Sequence, residues 1–224
     1  GPGGLAVLYA EENTRDALFA AMQRREAYAT SGTRPVLRFF GGWDYPQTSC
    51  EASDMVEQGY AQGVPMGGDL LPAPAEDAAP RFIVSALADA GTADYPGNAL
   101  QRIQLVKGWY EGGELRERVM DVAGGDNNAS VDPLTCEQSG TGHQQLCTVW
   151  TDPGFNPSVP AFYYARVLEN PSCRWSQRIC ADAGVRCGDP TTIAEGMESC
   201  CAAEHQKIIQ ERAWSSPIWF TPSS

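Results

Sequence analysis

The hydrophobic pattern of the first thirty residues predicts a strand followed by a helix. Residues 5–10 form a short apolar run, which is typical of a strand. Downstream, apolar side chains recur at the spacing of one helical face: Ala17, Leu18, Ala21 and Met22. Asn13 or Thr14 can cap the start of this helix. A cation at Arg24 suits its C-terminal part, and we expect the helix to end near Tyr28.

A second strand follows a polar turn and indicates a boundary between two structural units. The turn spans residues 30–33, and the apolar run that leaves it, residues 35–40, stops at a pair of glycines. A helix-to-strand joint of this kind often ends one domain and begins another. We therefore predict two domains, residues 1–34 and residues 35–224.

Beyond residue 80 the apolar positions alternate with polar ones, as in strands with one buried face. The runs that follow this pattern are residues 82–87, 100–110, 115–122, 162–168 and 217–220. Glu111-Gly112-Gly113-Glu114 separates the second run from the third and is a hairpin signal. This part of the chain is therefore predicted to be mostly antiparallel sheet.

Three segments interrupt the strands. Residues 50–60 predict a short helix, residues 63–69 carry glycines and a proline that require an irregular backbone, and residues 200–210 predict a cysteine-bearing helix. The whole pattern predicts an α+β fold. Its first elements are a strand and a helix, and the rest is predicted to be a mainly antiparallel β-sandwich-like domain with short disulfide-linked helices.

Charge and histidine content exclude several function classes. The 224 residues carry 16 Lys and Arg against 28 Asp and Glu, a net charge of −12, which disfavours binding to nucleic acid or anionic membranes. We find no apolar stretch of about 20 residues, so we expect no membrane span. With His143 and His205 as the two histidines, an imidazole-rich metal centre cannot be assembled from this chain, and we expect no cofactor on it.

The cysteines predict a disulfide framework. Their number is even, and no C-x-x-C pair is present: Cys50, Cys136, Cys147, Cys173, Cys180, Cys187, Cys200 and Cys201. Cys136 and Cys147 bracket a short polar loop that a bridge could close. The adjacent Cys200 and Cys201 should bond to different partners, because neighbouring cysteines rarely satisfy disulfide geometry together. Disulfides indicate a periplasmic or secreted protein.

The segment Asp126 to Asp132 imitates a calcium-binding loop. Side-chain oxygens stand at alternate positions, and Glu137 follows eleven residues after Asp126. However, Val131 occupies the position where such loops require glycine. A solvated turn built by Asn and Asp side chains is therefore the favoured interpretation.

Three residues are candidates for the wall of a substrate pocket. Trp43 follows two glycines and is the tryptophan that we expect to be most exposed. Arg34 and Asp69 lie in loops rich in Gly and Pro, from which side chains can converge on a ligand. For each of them, a structural ion pair or cap is the alternative role. We expect His143 to be an exposed loop residue and His205 to be structural or on the surface.

Several strings together resemble the C-terminal region of the bacterial domain-of-unknown-function family 3604. They extend over nearly the whole chain: AEENTR (10–15), REAYATSGTR (25–34), GVPMGGD (63–69), IQLVKGW (103–109), YYARVLENP (163–171) and QERAWSSPIW (210–219). The shorter string YATSG is also similar to carbaryl-hydrolase-type members of the polymerase-and-histidinol-phosphatase superfamily.

The resemblance implies a longer parent protein with an N-terminal metallohydrolase-type β/α barrel. Residues 1–34 of this chain would supply the last β/α elements of that barrel, and residues 35–224 would form the β-rich domain that follows it. That barrel would carry divalent Mn, Zn or Fe ions and hydrolyse a small-molecule phosphate, sulfate or carbamate ester. None of the family's metal ligands maps onto this chain. Residues 30–34 and 63–69 would adjoin the barrel, its intramolecular partner, and Arg34 would bind an anionic ester group.

A non-catalytic role is the competing interpretation. The chain would then be a disulfide-stapled β module that binds a glycan or a protein partner. Exposed aromatic side chains would favour this module, whereas a broad apolar face along the N-terminal helix would favour a missing barrel.

Overall fold

The computed structural model describes residues 3–75 and 77–222. Its strands are β1 (Ala6–Leu8), β2 (Ala27–Thr30), β3 (Val36–Gly42), β4 (Gly63–Pro65), β5 (Arg81–Leu87), β6 (Leu100–Glu111), β7 (Glu114–Gly124), β8 (Ser130–Val131), β9 (Gln138–Ser139), β10 (Gln145–Thr151), β11 (Ala161–Glu169), β12 (Ser172–Cys173), β13 (Ile208–Ile209), β14 (Arg212–Ser215) and β15 (Ile218–Phe220). Its helices are α1 (Arg15–Gln23), α2 (Met55–Gln62) and α3 (Trp175–Asp182), with 3₁₀ turns at Gln47–Glu51, Pro190–Thr192 and Glu198–Cys201.

Two antiparallel sheets form the body of the molecule. The larger has seven strands in the order β1-β2-β14-β11-β6-β7, with β15 paired to β11. The smaller has four strands in the order β10-β5-β3-β4. The paired strands of both sheets run antiparallel throughout. The prediction of a mixed α+β fold with mainly antiparallel sheet is thus confirmed.

The main core lies between the two sheets. Alternate residues of the smaller sheet face inward, as the sequence pattern requires: Leu37, Phe39, Phe82, Val84, Ala86 and Leu146. They meet inward-facing residues of the larger sheet: Tyr28, Ile103, Leu105, Tyr163, Ala165, Val167, Ala213, Ile218 and Phe220. The rings of Phe82 and Tyr163 lie 4.4 Å apart at this junction. Burial of both inner faces holds the two sheets together.

A second, smaller core covers the outer face of the four-stranded sheet. Phe40 and Ile83 of the sheet pack with Tyr45, and the Gln47–Glu51 turn and α2 lie over them. The disulfide Cys50–Cys147 joins this cover to β10. The alternation predicted for residues 82–87 is therefore incomplete: β5 is located correctly, but five successive residues of it are buried because both of its faces are covered.

The N-terminal segment differs from the prediction. Helix α1 ends at Gln23 rather than near Tyr28, because Arg25 adopts a left-handed conformation with φ of 59° and turns the chain back. β2 then pairs antiparallel with β1 and joins β14 in the larger sheet. A β/α barrel requires parallel strands, so this chain does not contain a barrel portion. The domain boundary after residue 34 stays a prediction.

The strands predicted from residue 35 onward and the hairpin β6–β7 are present, whereas β10 and β14 were not predicted and β4 lies in a segment predicted to be irregular. The helix predicted over residues 200–210 is wrong. A 3₁₀ turn ends at Cys201, and β13 follows as an extended pair with β12. The cause is covalent. Cys200 bonds to Cys180, and Cys201 bonds to Cys187, so the two bridges hold the segment against α3 and its following loop.

All eight cysteines form disulfides, in the pairs Cys50–Cys147, Cys136–Cys173, Cys180–Cys200 and Cys187–Cys201. The predicted closure of the loop between Cys136 and Cys147 is therefore wrong. Cys147 lies on β10, beside the cover of the small sheet, whereas Cys136 packs with Cys173 and Val131 in a separate cluster. The different partners of Cys200 and Cys201 confirm the prediction from disulfide geometry.

Candidate functional site

A cavity of about 620 Å³, whose wall includes two arginines, two glutamates and two tyrosines, opens where the N-terminal elements meet the smaller sheet. Tyr9 follows β1, Arg24 caps α1, and Glu26 precedes β2. Arg38 comes from the centre of β3, and Tyr60 comes from α2. The remaining wall is mixed in character, with Ala10, Glu11, Val56 and Pro65. We call this space the N-terminal cavity.

Glu26 is the buried anion of the N-terminal cavity. Its side chain is 5% exposed, and its Oε2 lies 3.4 Å from Nε of Arg24. The Tyr60 hydroxyl donates a short hydrogen bond to its Oε1. Both carboxylate oxygens therefore have partners, and Arg24 balances the charge of Glu26.

Tyr60 stays protonated at physiological pH. Burial, together with the hydrogen bond to Glu26 and its negative charge, raises the pKa of Tyr60 to about 12. Its oxygen is also 3.4 Å from Nη1 of Arg38, from which it accepts a hydrogen bond. The hydroxyl thus links the carboxylate of Glu26 to the guanidinium of Arg38.

Arg38 stands over the ring of Tyr9, with its guanidinium carbon 3.6 Å from the ring centroid. The Tyr9 hydroxyl donates to the Leu37 carbonyl at 2.7 Å, and burial raises the pKa of Tyr9. The hydrogen bond to Leu37 holds the Tyr9 ring in place beneath the Arg38 guanidinium. Among the described residues, no carboxylate lies within 4.0 Å of Arg38. Arg38 therefore offers N–H donors to the cavity.

The three pocket residues predicted from the sequence lie outside the N-terminal cavity and have separate partners. The backbone N–H of Arg34 donates to Asp89 at 2.8 Å, and its side chain is exposed. The prediction that Trp43 is the most exposed tryptophan is wrong, since Trp43 is half-buried and Trp175 is 54% exposed. Trp43 packs against Phe155 and Phe220, and its indole N–H donates to Leu71 O at 3.1 Å. Asp69 is exposed and pairs with Arg25 at 3.1 Å. A role in substrate binding stays a prediction for each of them.

The histidines have different surroundings. His143 is exposed, and its backbone forms a bridge with Leu100. The Nδ1 of His205 lies 3.0 Å from Ser199 O, next to the disulfide-linked turn. Within residues 3–75 and 77–222, no group of three His, Cys, Asp or Glu side chains is placed to hold a metal ion.

The calcium-like segment forms turns built by its own side chains. Asp126 accepts a hydrogen bond from the N–H of Asn128, and Asp132 accepts one from the N–H of Leu134. These side-chain oxygens stabilise the local backbone. The favoured sequence interpretation, an Asx-rich turn, agrees with this geometry.

The N-terminal cavity was not predicted from the sequence. Arg24 was interpreted as a cation at the end of a helix, and Arg38 lies within a run predicted to be an apolar strand. The signal that could have located the cavity is that cation itself, since Arg38 interrupts the run Val36 to Phe40 on the face opposite the main core. The contact between Arg38 and Tyr60 has no local signal in the sequence, because the two residues are 22 positions apart.

Comparisons with known proteins give a family and no close relative. Residues 1–222 match the family described as "Protein of unknown function (DUF3604)". No curated protein and no solved structure matches the chain. Across the described ranges, none of the helices combines the length and apolarity needed to cross a membrane. The family match spans almost the entire sequence, and on that basis the chain belongs to the DUF3604 family.

Proposed function

We propose that this chain is the C-terminal part of a metal-dependent hydrolase of phosphate, sulfate or carbamate esters. In this proposal the chain supplies scaffold and one wall of the substrate pocket, and an upstream barrel supplies the metal centre. Membership of the DUF3604 family supports the proposal through the sequence resemblance described above. The N-terminal cavity supports it by placing polar side chains beside α1.

The observation that carries this proposal is the exposed apolar face of α1. Ala21 is the one buried residue of this nine-residue helix. Phe19 and Met22, three positions apart on one face, are 58% and 55% exposed. Large apolar side chains exposed together mark surfaces that contact another polypeptide. Since Arg24 both caps α1 and lines the N-terminal cavity, a barrel packed on this face would lie next to that cavity.

The described residues do not fit a catalytic metal ion. They bring together no set of three side chains suited to hold one, and the anion of the N-terminal cavity, Glu26, already has two partners. The proposal therefore places the Mn, Zn or Fe ions on the barrel and assigns no step of their chemistry to this chain.

An oxidising compartment is part of the same proposal. Four disulfides are formed and no described cysteine is free, which supports a periplasmic or secreted location.

The test compares the whole gene product with the 224-residue chain. We expect the whole product to hydrolyse a nitrophenyl phosphate or sulfate with added Mn²⁺ or Zn²⁺, and the chain alone to be inactive. Replacing both Phe19 and Met22 by Asp should reduce the activity and thermal stability of the whole product, because charges would then enter the proposed contact. Leu71→Asp, at a residue 66% exposed, is the control for adding a charge at an exposed apolar position. Turnover by the chain alone, or full activity of the Phe19/Met22 variant, would contradict the proposal.

The binding-module alternative also has an observation in its favour. An apolar groove of about 250 Å³ on the larger sheet is lined by aromatic side chains, including Tyr110, Phe162 and Trp219. Tyr110 is 54% exposed, and such rings can stack on a sugar. Binding of the chain to a glycan array, lost in Tyr110→Ala and retained in Tyr95→Ala, would favour this alternative.

A further inference from the structure

We infer that the N-terminal cavity is an oxyanion-binding site in which the guanidinium of Arg38 is the principal ligand-binding group. The ligand class is a tetrahedral oxyanion group, a phosphate or sulfate, either free or as part of an ester. The inference rests on the proposed function only for the source of that group, since binding is a property of this chain alone.

The first argument is that Arg38 combines a guanidinium without an ion pair with a half-buried place in the cavity wall. Among the described residues, four arginines form ion pairs with carboxylates: Arg24, Arg25, Arg102 and Arg116. Arg38, like several other arginines, forms none, and its contacts are the Tyr60 hydroxyl at 3.4 Å and the ring of Tyr9. A guanidinium has five N–H donors, so most of those on Arg38 are available to a ligand.

The second argument is preorganisation. Tyr9 supports one face of the Arg38 guanidinium, and Tyr60 holds its edge. The Tyr60 hydroxyl is itself oriented by its hydrogen bond to Glu26. A guanidinium held in one plane loses less conformational entropy on binding and presents parallel N–H groups to two oxygens of an anion.

The third argument concerns charge inside the cavity. Arg24 neutralises Glu26, whose oxygens are both engaged, so Glu26 does not leave an unpaired negative charge there. Glu11 is an exposed residue at the wall. The lining thus carries two cations and two anions, and among the described residues Arg38 is a cation of this wall without a direct ion pair. Val56 and Pro65 add apolar wall that can contact the organic part of an ester.

The experiment titrates inorganic sulfate and phosphate into the 224-residue chain by isothermal calorimetry at constant ionic strength, with chloride and acetate as separate arms. We expect saturable binding of one sulfate or phosphate per chain. Arg38→Gln should weaken binding by about tenfold or more, and Arg38→Lys should be intermediate because a lysine keeps the charge but loses the planar donor pair. Arg118→Gln, which removes an exposed cation on β7, is the charge-matched control and should change affinity less than about twofold.

A second measurement uses the unaltered chain, so that it does not depend on the folding of a variant. Phenylglyoxal modifies accessible arginines, and peptide mass spectrometry locates the modified positions. Sulfate should slow modification of Arg38 specifically, with that of Arg118 unchanged. Equal protection of both arginines, no saturable binding, or unaltered affinity in folded Arg38→Gln would overturn the inference. Equally tight binding of acetate would overturn the tetrahedral class.

Failure of this inference can be told apart from failure of the proposed function. Ester hydrolysis by the whole gene product, together with no saturable sulfate or phosphate binding by the 224-residue chain, would reject the oxyanion site and leave the proposed hydrolase in place. Arg38-dependent sulfate binding by a gene product that hydrolyses none of the esters would reject the hydrolase and leave the site in place.

Discussion

The side-chain ammonium of Lys107 lies 2.5 Å from the carboxylate of Asp152, and both side chains are almost completely buried. Lys107 also donates to the Gly154 carbonyl at 2.9 Å, and the Tyr163 hydroxyl donates to Asp152 at 2.7 Å. The contacts tie β6 and β11 of the larger sheet to the loop that follows β10. A buried pair of this kind is costly to break because the remaining charge has no partner.

We therefore predict that Lys107→Met lowers the free energy of unfolding by about 3 to 5 kcal/mol, as expected when one partner of a buried pair is removed. The combined variant with Asp152→Asn should recover part of this loss. The exposed pair Arg116–Glu114 provides the control, and Arg116→Met should cost less than about 1 kcal/mol. Denaturant unfolding measures all three, and equal losses at the two pairs would contradict the prediction.

The buried carboxyl group of Glu169 should make the stability of the chain depend on pH. It is fully buried, and neither of its carboxylate oxygens has a hydrogen-bond partner among the described residues. Burial raises the pKa of Glu169 from 4.5 to about 7. The nearby side chains of Thr33 and Asn98 oppose this rise, and the negative charges of Glu211 and Asp89 add to it. The folded state thus binds the proton more tightly than the unfolded state does. Its contribution to the free energy of unfolding should fall as pH rises from about 4.5 to about 7, and then level off.

Glu169→Gln tests this dependence, because the amide is neutral at every pH. The variant should gain stability relative to the unaltered chain as pH rises from 5 to 8, as measured by urea unfolding at each pH. Glu117→Gln, at an exposed position, should not show this trend. A difference between Glu169→Gln and the unaltered chain that stays constant with pH would contradict the assignment.

The disulfides should contribute unequally to stability. Cys50 and Cys147 are 97 residues apart, whereas Cys187 and Cys201 are 14 apart. On the chain-entropy model, loss of the first bridge should cost about 5 kcal/mol and loss of the second about 3 kcal/mol. Paired Cys→Ala variants measured by thermal unfolding give the comparison. A larger loss for the shorter loop would contradict the entropic account.

Gly67 is a position that should not accept a side chain. Its φ of 90° is in the left-handed region, and an added Cβ would lie 2.3 Å from the carbonyl oxygen of Arg25. Gly67→Ala should therefore destabilise the chain by about 2 kcal/mol or more. Gly113 has a similar φ of 85° without a neighbour within 4 Å, so Gly113→Ala isolates the cost of backbone strain, about 1 kcal/mol. Differential scanning calorimetry measures the stability of both variants. Equal losses of stability in Gly67→Ala and Gly113→Ala would show that the contact with Arg25 is unimportant.

Much of the fold could be predicted from local patterns, and most of the candidate site could not. Alternation located β5, β6, β7, β11 and β15, and two glycines located the hairpin between β6 and β7. The helix predicted over residues 200–210 failed because bridges to Cys180 and Cys187 override local preference. Arg38 and Glu26 were overlooked because their shared contacts to Tyr60 join three separate parts of the chain.

The sequence by itself determined the positions of seven of the fifteen strands, among them the three longest, together with the even set of cysteines and the acidic charge. These features depend on residue type and short spacings along the chain. Only the tertiary structure decided which cysteines bond, that β1 and β2 run antiparallel within the larger sheet, and which cation faces the N-terminal cavity. The physical reason is distance. Disulfides, sheet order and cavities depend on residues far apart in sequence, and their proximity follows from the packing of the whole core.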